Sequence, residues 1–200
     1  MSEWKVEEVV VGEHVPRMGN RFSQKLGQIL VSMSGWKIEG ELPNEKKLMI
    51  VIAPHTSNWD FIYCMSFILA LRFKLSYMMK KEAFFWPFKG LFMKLGGIPI
   101  DRKASNNTVD QVVDWYRSNE RMWVAITPEG SRSRREKWKN GFARIAFKAQ
   151  VPVLVAGFDY PSKTVYLEPL RRMTDDAEYE TEQIKQLVRS KYQGKHQDKL

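Results

Sequence analysis

Hydrophobic and polar positions alternate along the chain in two rhythms. From 17 to 34 the apolar residues Phe22, Leu26, Ile29, Leu30 and Met33 recur at helical spacing, with Arg21, Lys25 and Gln28 opposite. This predicts an amphipathic surface helix, either packed on a core or lying on anionic lipid. Residues 36–41 alternate as a short strand. Residues 48–53 form an apolar run rich in β-branched side chains, which predicts a buried strand ended by Pro54. Residues 60–71 are apolar nearly all round and predict a buried helix. Inner strands are expected at 75–79, 97–102, 123–127 and 151–156, with an edge strand at 164–167. Helices are expected after Asn107 (inner stripe Val109, Val112, Val113, Tyr116), after Asn140 (Phe142, Ile145, Ala146, Ala149) and over 176–192. The aromatic stretch 84–93 suits either core or the wall of an apolar channel. The end of the chain is polar and is expected to fray.

Uniformly apolar strands alternating with helices imply an α/β fold: one domain with a mostly parallel mixed sheet covered by helices on both faces. The expected division is 1–35, an N-terminal segment with the amphipathic helix; 36–192, the domain proper; and 193–200, a polar tail. Three inner strands end in charged loops: His55 and Asp60, Asp101 and Arg102, Glu129 and Arg132. Equivalent ends of a parallel sheet converge on one place, where open α/β sheets keep their chemistry. On a continuous helix residues five apart diverge by about 140°. His55 and Asp60 therefore meet only if the chain bends between them, and Thr56-Ser57-Asn58 suits a bend. A carboxylate on one imidazole nitrogen fixes the tautomer and frees the other to take a proton. A histidine that merely caps the following helix is the plainer alternative.

Composition narrows the partners. Thirty-two Lys and Arg against 23 Asp and Glu give a net charge of +9, which favours an anionic partner: nucleic acid, an acidic membrane surface or a phosphorylated substrate. Cys64 is the only cysteine, and His14, His55 and His196 show no paired spacing. No metal site and no disulfide within the chain are expected. The first residues read as no leader, and no apolar run approaches the roughly 18 residues of a spanning helix. The expected location is cytoplasmic, peripheral on the inner face of the membrane.

The ordered blocks resemble those of the glycerolipid acyltransferases, the lysophosphatidic acid acyltransferase family. His55-Thr56-Ser57-Asn58-Trp59-Asp60 is similar to the family's His-x4-Asp block. Gly97-Ile98-Pro99-Ile100-Asp101-Arg102 looks like its second block. Thr127-Pro128-Glu129-Gly130-Ser131-Arg132-Ser133 is similar to the third, where Phe and Thr usually stand in place of Thr127 and Ser131. Val151-Pro152-Val153 resembles the fourth, and Lys139-x-Gly141 also fits. The resemblance spans about 36–170 and implies a glycerol-3-phosphate acyltransferase-like fold. It implies transfer of an acyl chain from a thioester, acyl-CoA or acyl carrier protein, to the hydroxyl of a lysophospholipid-like acceptor, with no further cofactor. His55 is the implied general base and Asp60 its orienting group. Arg102 and Arg132, with Lys81, are candidates for an acceptor phosphate, since guanidinium offers a bidentate fork. Glu129 holds an arginine or bonds the acceptor, and Gly130 and Ser131 offer donors nearby. Ser57 and Cys64 read as a turn residue and a core residue, not nucleophiles. A thioesterase using the same pair is the enzymatic rival. A basic module binding nucleic acid would not explain an acid–base pair at a strand end, so no nucleic acid is expected.

Overall fold

The computed structural model describes residues 6–80, 85–87, 89–94, 96–100, 108–130 and 137–196. After a 3-10 turn at Val6–Glu8 the elements run α1 (Arg21–Ser34), β1 (Lys37–Glu39), β2 (Lys47–Ala53), α2 (Asn58–Leu71), β3 (Ser76–Lys80), α3 (Lys89–Lys94), β4 (Gly97–Ile100), α4 (Thr108–Ser118), β5 (Met122–Ile126), α5 (Gly141–Ala149), β6 (Val153–Asp159), β7 (Thr164–Leu167) and α6 (Ala177–Lys191). The strands make one seven-stranded sheet in the order β1-β7-β6-β2-β5-β3-β4. From β6 to β4 all neighbours are parallel, β7 is antiparallel to β6, and β1 lies parallel to β7.

β2 sits in the middle, with Met49 facing Val124 of β5 and Val153 of β6. Its side chains alternate between the faces. Met49, Val51 and Ala53 pack with Val112, Phe142, Ile145 and Ile184 beneath α4, α5 and α6. Leu48, Ile50 and Ile52 pack with Val31, Phe67, Ile68 and Leu71 beneath α1 and α2. Both faces are covered, which explains why the strand carries no polar alternation.

Several expectations change. The strand at 164–167 is not the edge, because β1 pairs on its outer side; conversely β4, expected as an inner strand, is the outermost strand at the far end. α2 is not buried all round: Trp59, Phe61 and Ile62 are exposed. α1 starts at Arg21 rather than 17, because Asn20 caps it in a reciprocal box with Ser23. Its apolar stripe also faces outward. Phe22 and Met33 are each 80% exposed, and Leu26, Ile29 and Leu30 are exposed too. The face that packs is the one bearing Gly27 and Val31. A Cβ at Gly27 would lie 2.3 Å from the Ala70 backbone nitrogen, so glycine is what allows α1 to approach α2 this closely. In the aromatic stretch the described residues Phe85, Trp86, Leu91 and Met93 are exposed on the surface.

The polar end of the chain, expected to fray, is packed as far as His196. The Gln193 carbonyl accepts from the Tyr160 amide at 2.9 Å, and the His196 amide donates to Thr56 Oγ1 at 3.3 Å. Lys195 Nζ lies 5.2 Å over the Trp59 ring.

Candidate active site

Where β2 leaves the sheet, the chain turns through Pro54 to Ser57 and enters α2. Ser57 is the helix N-cap and Asp60 the third residue in, forming a reciprocal capping box. This turn folds Asp60 back towards His55. Asp60 Oδ2 accepts the Thr56 amide at 3.0 Å and the Ser57 amide at 2.9 Å, and lies 3.0 Å from His55 Nδ1. The imidazole meets the oxygen obliquely, off the line of a straight hydrogen bond. The Asp60 side chain is 1% exposed and that of His55 21%. The positive end of α2 favours the buried negative charge. Nδ1 is buried, which leaves Nε2 as the free nitrogen.

Glu129 follows β5, the strand beside β2. Both of its carboxyl oxygens accept the His55 backbone N–H, at 2.9 and 3.1 Å. Sequence reasoning assigned it to an arginine or to the acceptor; among the described residues its partner is the histidine's own amide. Burial pushes the Glu129 carboxyl up to about 7, with the Asp60 charge adding; the His55 amide and Arg189 act the other way. The ordinary value is 4.5, so between the two the folded protein holds a proton that the unfolded chain has released. Stability from this group is therefore lost as pH rises from about 4.5 to about 7, by roughly 3 kcal/mol in all. Glu129→Gln removes that dependence while the amide oxygen still accepts from His55. Urea unfolding at pH 5 and pH 8 should show the variant gaining about 3 kcal/mol on the parent at the higher pH. Parallel pH profiles would show that Glu129 is not buried as a strained acid.

A cavity of about 970 Å³ opens at His55. One side runs between α2, β3 and β5, past Phe61, Cys64, Met65, Ile68, Leu75 and Met78. The other carries Lys137, Lys139 and Arg144. A large, mostly apolar space with a few charged groups is the usual form of a small-molecule site. Cys64 lies on the wall, but burial and the Asp60 charge push its thiol up to about 12, so it stays protonated. The described residues of the aromatic stretch do not line this space; α2 and β3 do. Gly130 adopts φ +65 and lies against Lys139, whose Cε would be 3.0 Å from an added Cβ. Lys81, Arg102, Ser131 and Arg132 lie outside the described residues. No metal-holding group of His, Cys, Asp and Glu occurs among the described residues, and no helix there is long and apolar enough to cross a membrane.

One residue of the site was not foreseen. The Tyr160 hydroxyl, from the turn after β6, donates to Asp60 Oδ1. β6 is parallel to β2, so its carboxyl end lies at the same edge of the sheet. The strand-end rule applied to every strand would have pointed there.

A family model described as Acyltransferase matches residues 35–158, which include His55, Asp60, Glu129 and Gly130. The chain belongs to the acyltransferase family. Over 142 residues this chain is 29% identical to the 1-acyl-sn-glycerol-3-phosphate acyltransferase of Streptococcus pneumoniae (strain ATCC BAA-255 / R6), covering 66% of this chain and 52% of that protein. The chain thus spans about half the length of the curated relative it matches. Its fold is similar to that of the 1-acyl-sn-glycerophosphate (LPA) acyltransferase PlsC from Thermotoga maritima. The TM-score is 0.59 at 18% identity, over 86% of this chain and 79% of that one. The α/β architecture with its mostly parallel sheet is therefore that of an acyltransferase.

Proposed function

We propose that this protein is an O-acyltransferase that moves a fatty acyl chain from a thioester, acyl-CoA or acyl carrier protein, to the hydroxyl of a lysophospholipid-like acceptor. The observation that carries this reading is the His55–Asp60 pair in the wall of a mostly apolar cavity of about 970 Å³. His55 Nε2 takes the proton of the acceptor hydroxyl as its oxygen bonds to the thioester carbonyl carbon. The tetrahedral intermediate collapses, the carbon–sulfur bond breaks, and the thiolate leaves with the proton from the imidazolium. Asp60 holds the ring and stabilises the imidazolium between the two transfers. The apolar wall formed by α2 and β3 suits an acyl chain. The phosphates of donor or acceptor would meet cations: Lys81, Arg102 and Arg132 by the family's pattern, with Lys137, Lys139 and Arg144 on the cavity itself. The test is a donor-by-acceptor assay read by mass spectrometry. Ester formation with a lysophospholipid supports the reading, whereas free fatty acid released equally without any acceptor would select the thioesterase instead.

Lipid substrates imply a lipid surface, and α1 is suited to one. Its Phe22, Leu26, Ile29, Leu30 and Met33 are exposed, Arg21 and Lys25 on the same helix are not covered either, and each basic residue near an anionic surface adds about 1 kcal/mol. Vesicle flotation should show binding that rises with anionic lipid and falls with salt. Leu26→Glu with Ile29→Glu should abolish flotation, leaving activity on a soluble short-chain acceptor. Unchanged flotation of that variant would remove α1 from the membrane contact.

A further inference from the structure

Asp60 has two oxygens, and the mechanism above uses one. Oδ2 serves His55 Nδ1 and the amides of Thr56 and Ser57; Oδ1 takes the Tyr160 hydroxyl. We infer that Tyr160 is a positioning residue, which locks the Asp60 carboxylate so that Oδ2 faces His55, and that the working unit is Tyr160–Asp60–His55 rather than the pair alone. This rests on the acyl-transfer reading for its kinetics but not for its geometry.

The argument starts from burial. The Asp60 side chain is almost wholly out of water, so an unpaired Oδ1 would leave part of a charge unsatisfied. Without a partner there, the carboxylate is held only through Oδ2, by the amides of Thr56 and Ser57. It can then rock about that oxygen, so that its alignment with the ring is less sharply fixed. The phenol suits the task because it must always donate: burial first, then Asp60 itself, push the Tyr160 hydroxyl well above its ordinary range. The donor is itself held in place. Its ring meets Trp36 edge-on at 4.9 Å and Tyr63 at 6.3 Å. Its backbone N–H is fixed on Gln193, whose own N–H donates to Asp159 Oδ1 at 3.0 Å. Tyr160 therefore reaches Asp60 from a rigid mount, on the oxygen that His55 does not use. It also stands two residues beyond the stretch that the family model matches.

Tyr160→Phe tests this, since it keeps the ring contacts and deletes only the hydroxyl. The expected result is a fall in kcat of about 10- to 100-fold, the range that loss of a hydrogen bond to a charged group converts to. KM for both substrates should stay within about twofold. In an Asp60→Asn background the same change should cost much less, because Tyr160 acts through the carboxylate. Imidazole 15N shifts give a readout that needs no substrate. The parent should hold His55 in the Nδ1-protonated tautomer, and Tyr160→Phe should mix the two. An unchanged kcat, an equal loss in both backgrounds, or an unmoved tautomer would overturn the inference. So would outright unfolding of the phenylalanine variant, because the hydroxyl would then be holding the fold. A parent with the single tautomer and no transfer on any donor–acceptor combination would sink the acyl-transfer reading alone.

Discussion

Replacing His55 with alanine will leave a folded protein whose transfer rate is lower by about two to four orders of magnitude, the usual cost of losing a general base. The fold survives because it relies on the backbone of His55, not on its ring. Glu129 holds the amide N–H, which alanine retains. The ring lines the cavity and belongs to neither hydrophobic core. Asp60 is not orphaned by the change either, since Thr56, Ser57 and Tyr160 still donate to it. Circular dichroism and an acyl-transfer assay on the same preparation check both halves. Parent-like turnover in a folded His55→Ala protein would end the mechanism.

Asp60→Asn is the second large effect, and it separates charge from shape. The asparagine oxygen can stay where Oδ2 stood, under the amides of Thr56 and Ser57, with its NH2 turned to the Tyr160 oxygen. Capping of α2 is then kept while the charge that stabilises the imidazolium is gone. A fall in kcat of about two to four orders of magnitude is expected, with little change in KM for the acceptor. A rise in KM alone would make Asp60 a binding residue. Asp60→Ala would confuse the result, because it strands two amides and a phenol in the interior at about 1–3 kcal/mol each.

The parts of this protein that were legible in its sequence are those that side-chain pattern encodes. β2 stood out because both its faces are buried, and the bend at Thr56-Ser57-Asn58 followed from turn chemistry. What could not be read depends on pairing between distant segments. The stripe on α1 was visible, but not the direction it faces, because the packing face is set by Gly27, which has no side chain to register in a hydrophobic pattern. The places of β1 and β7 were missed because strand order is not a local property. Tyr160 was missed for the same reason: it is a hundred positions from Asp60, and nothing around it in the chain calls for a carboxylate. The polar tail looked free because its anchors, Thr56 and Trp59, belong to the far end of the domain.

The strand order bears on how the protein is made. β2 leaves the ribosome well before β6, one of its two partners, which does not exist until Asp159 has been added. Until then the nascent chain carries a strand of seven residues, six of them buried in the end, with at least one open edge. Such an edge invites pairing with other chains. The same order keeps His55 idle during translation, because neither Glu129 nor Tyr160 is yet there to seat it. The surroundings of His55 are therefore completed only after the central strand has gained its second partner.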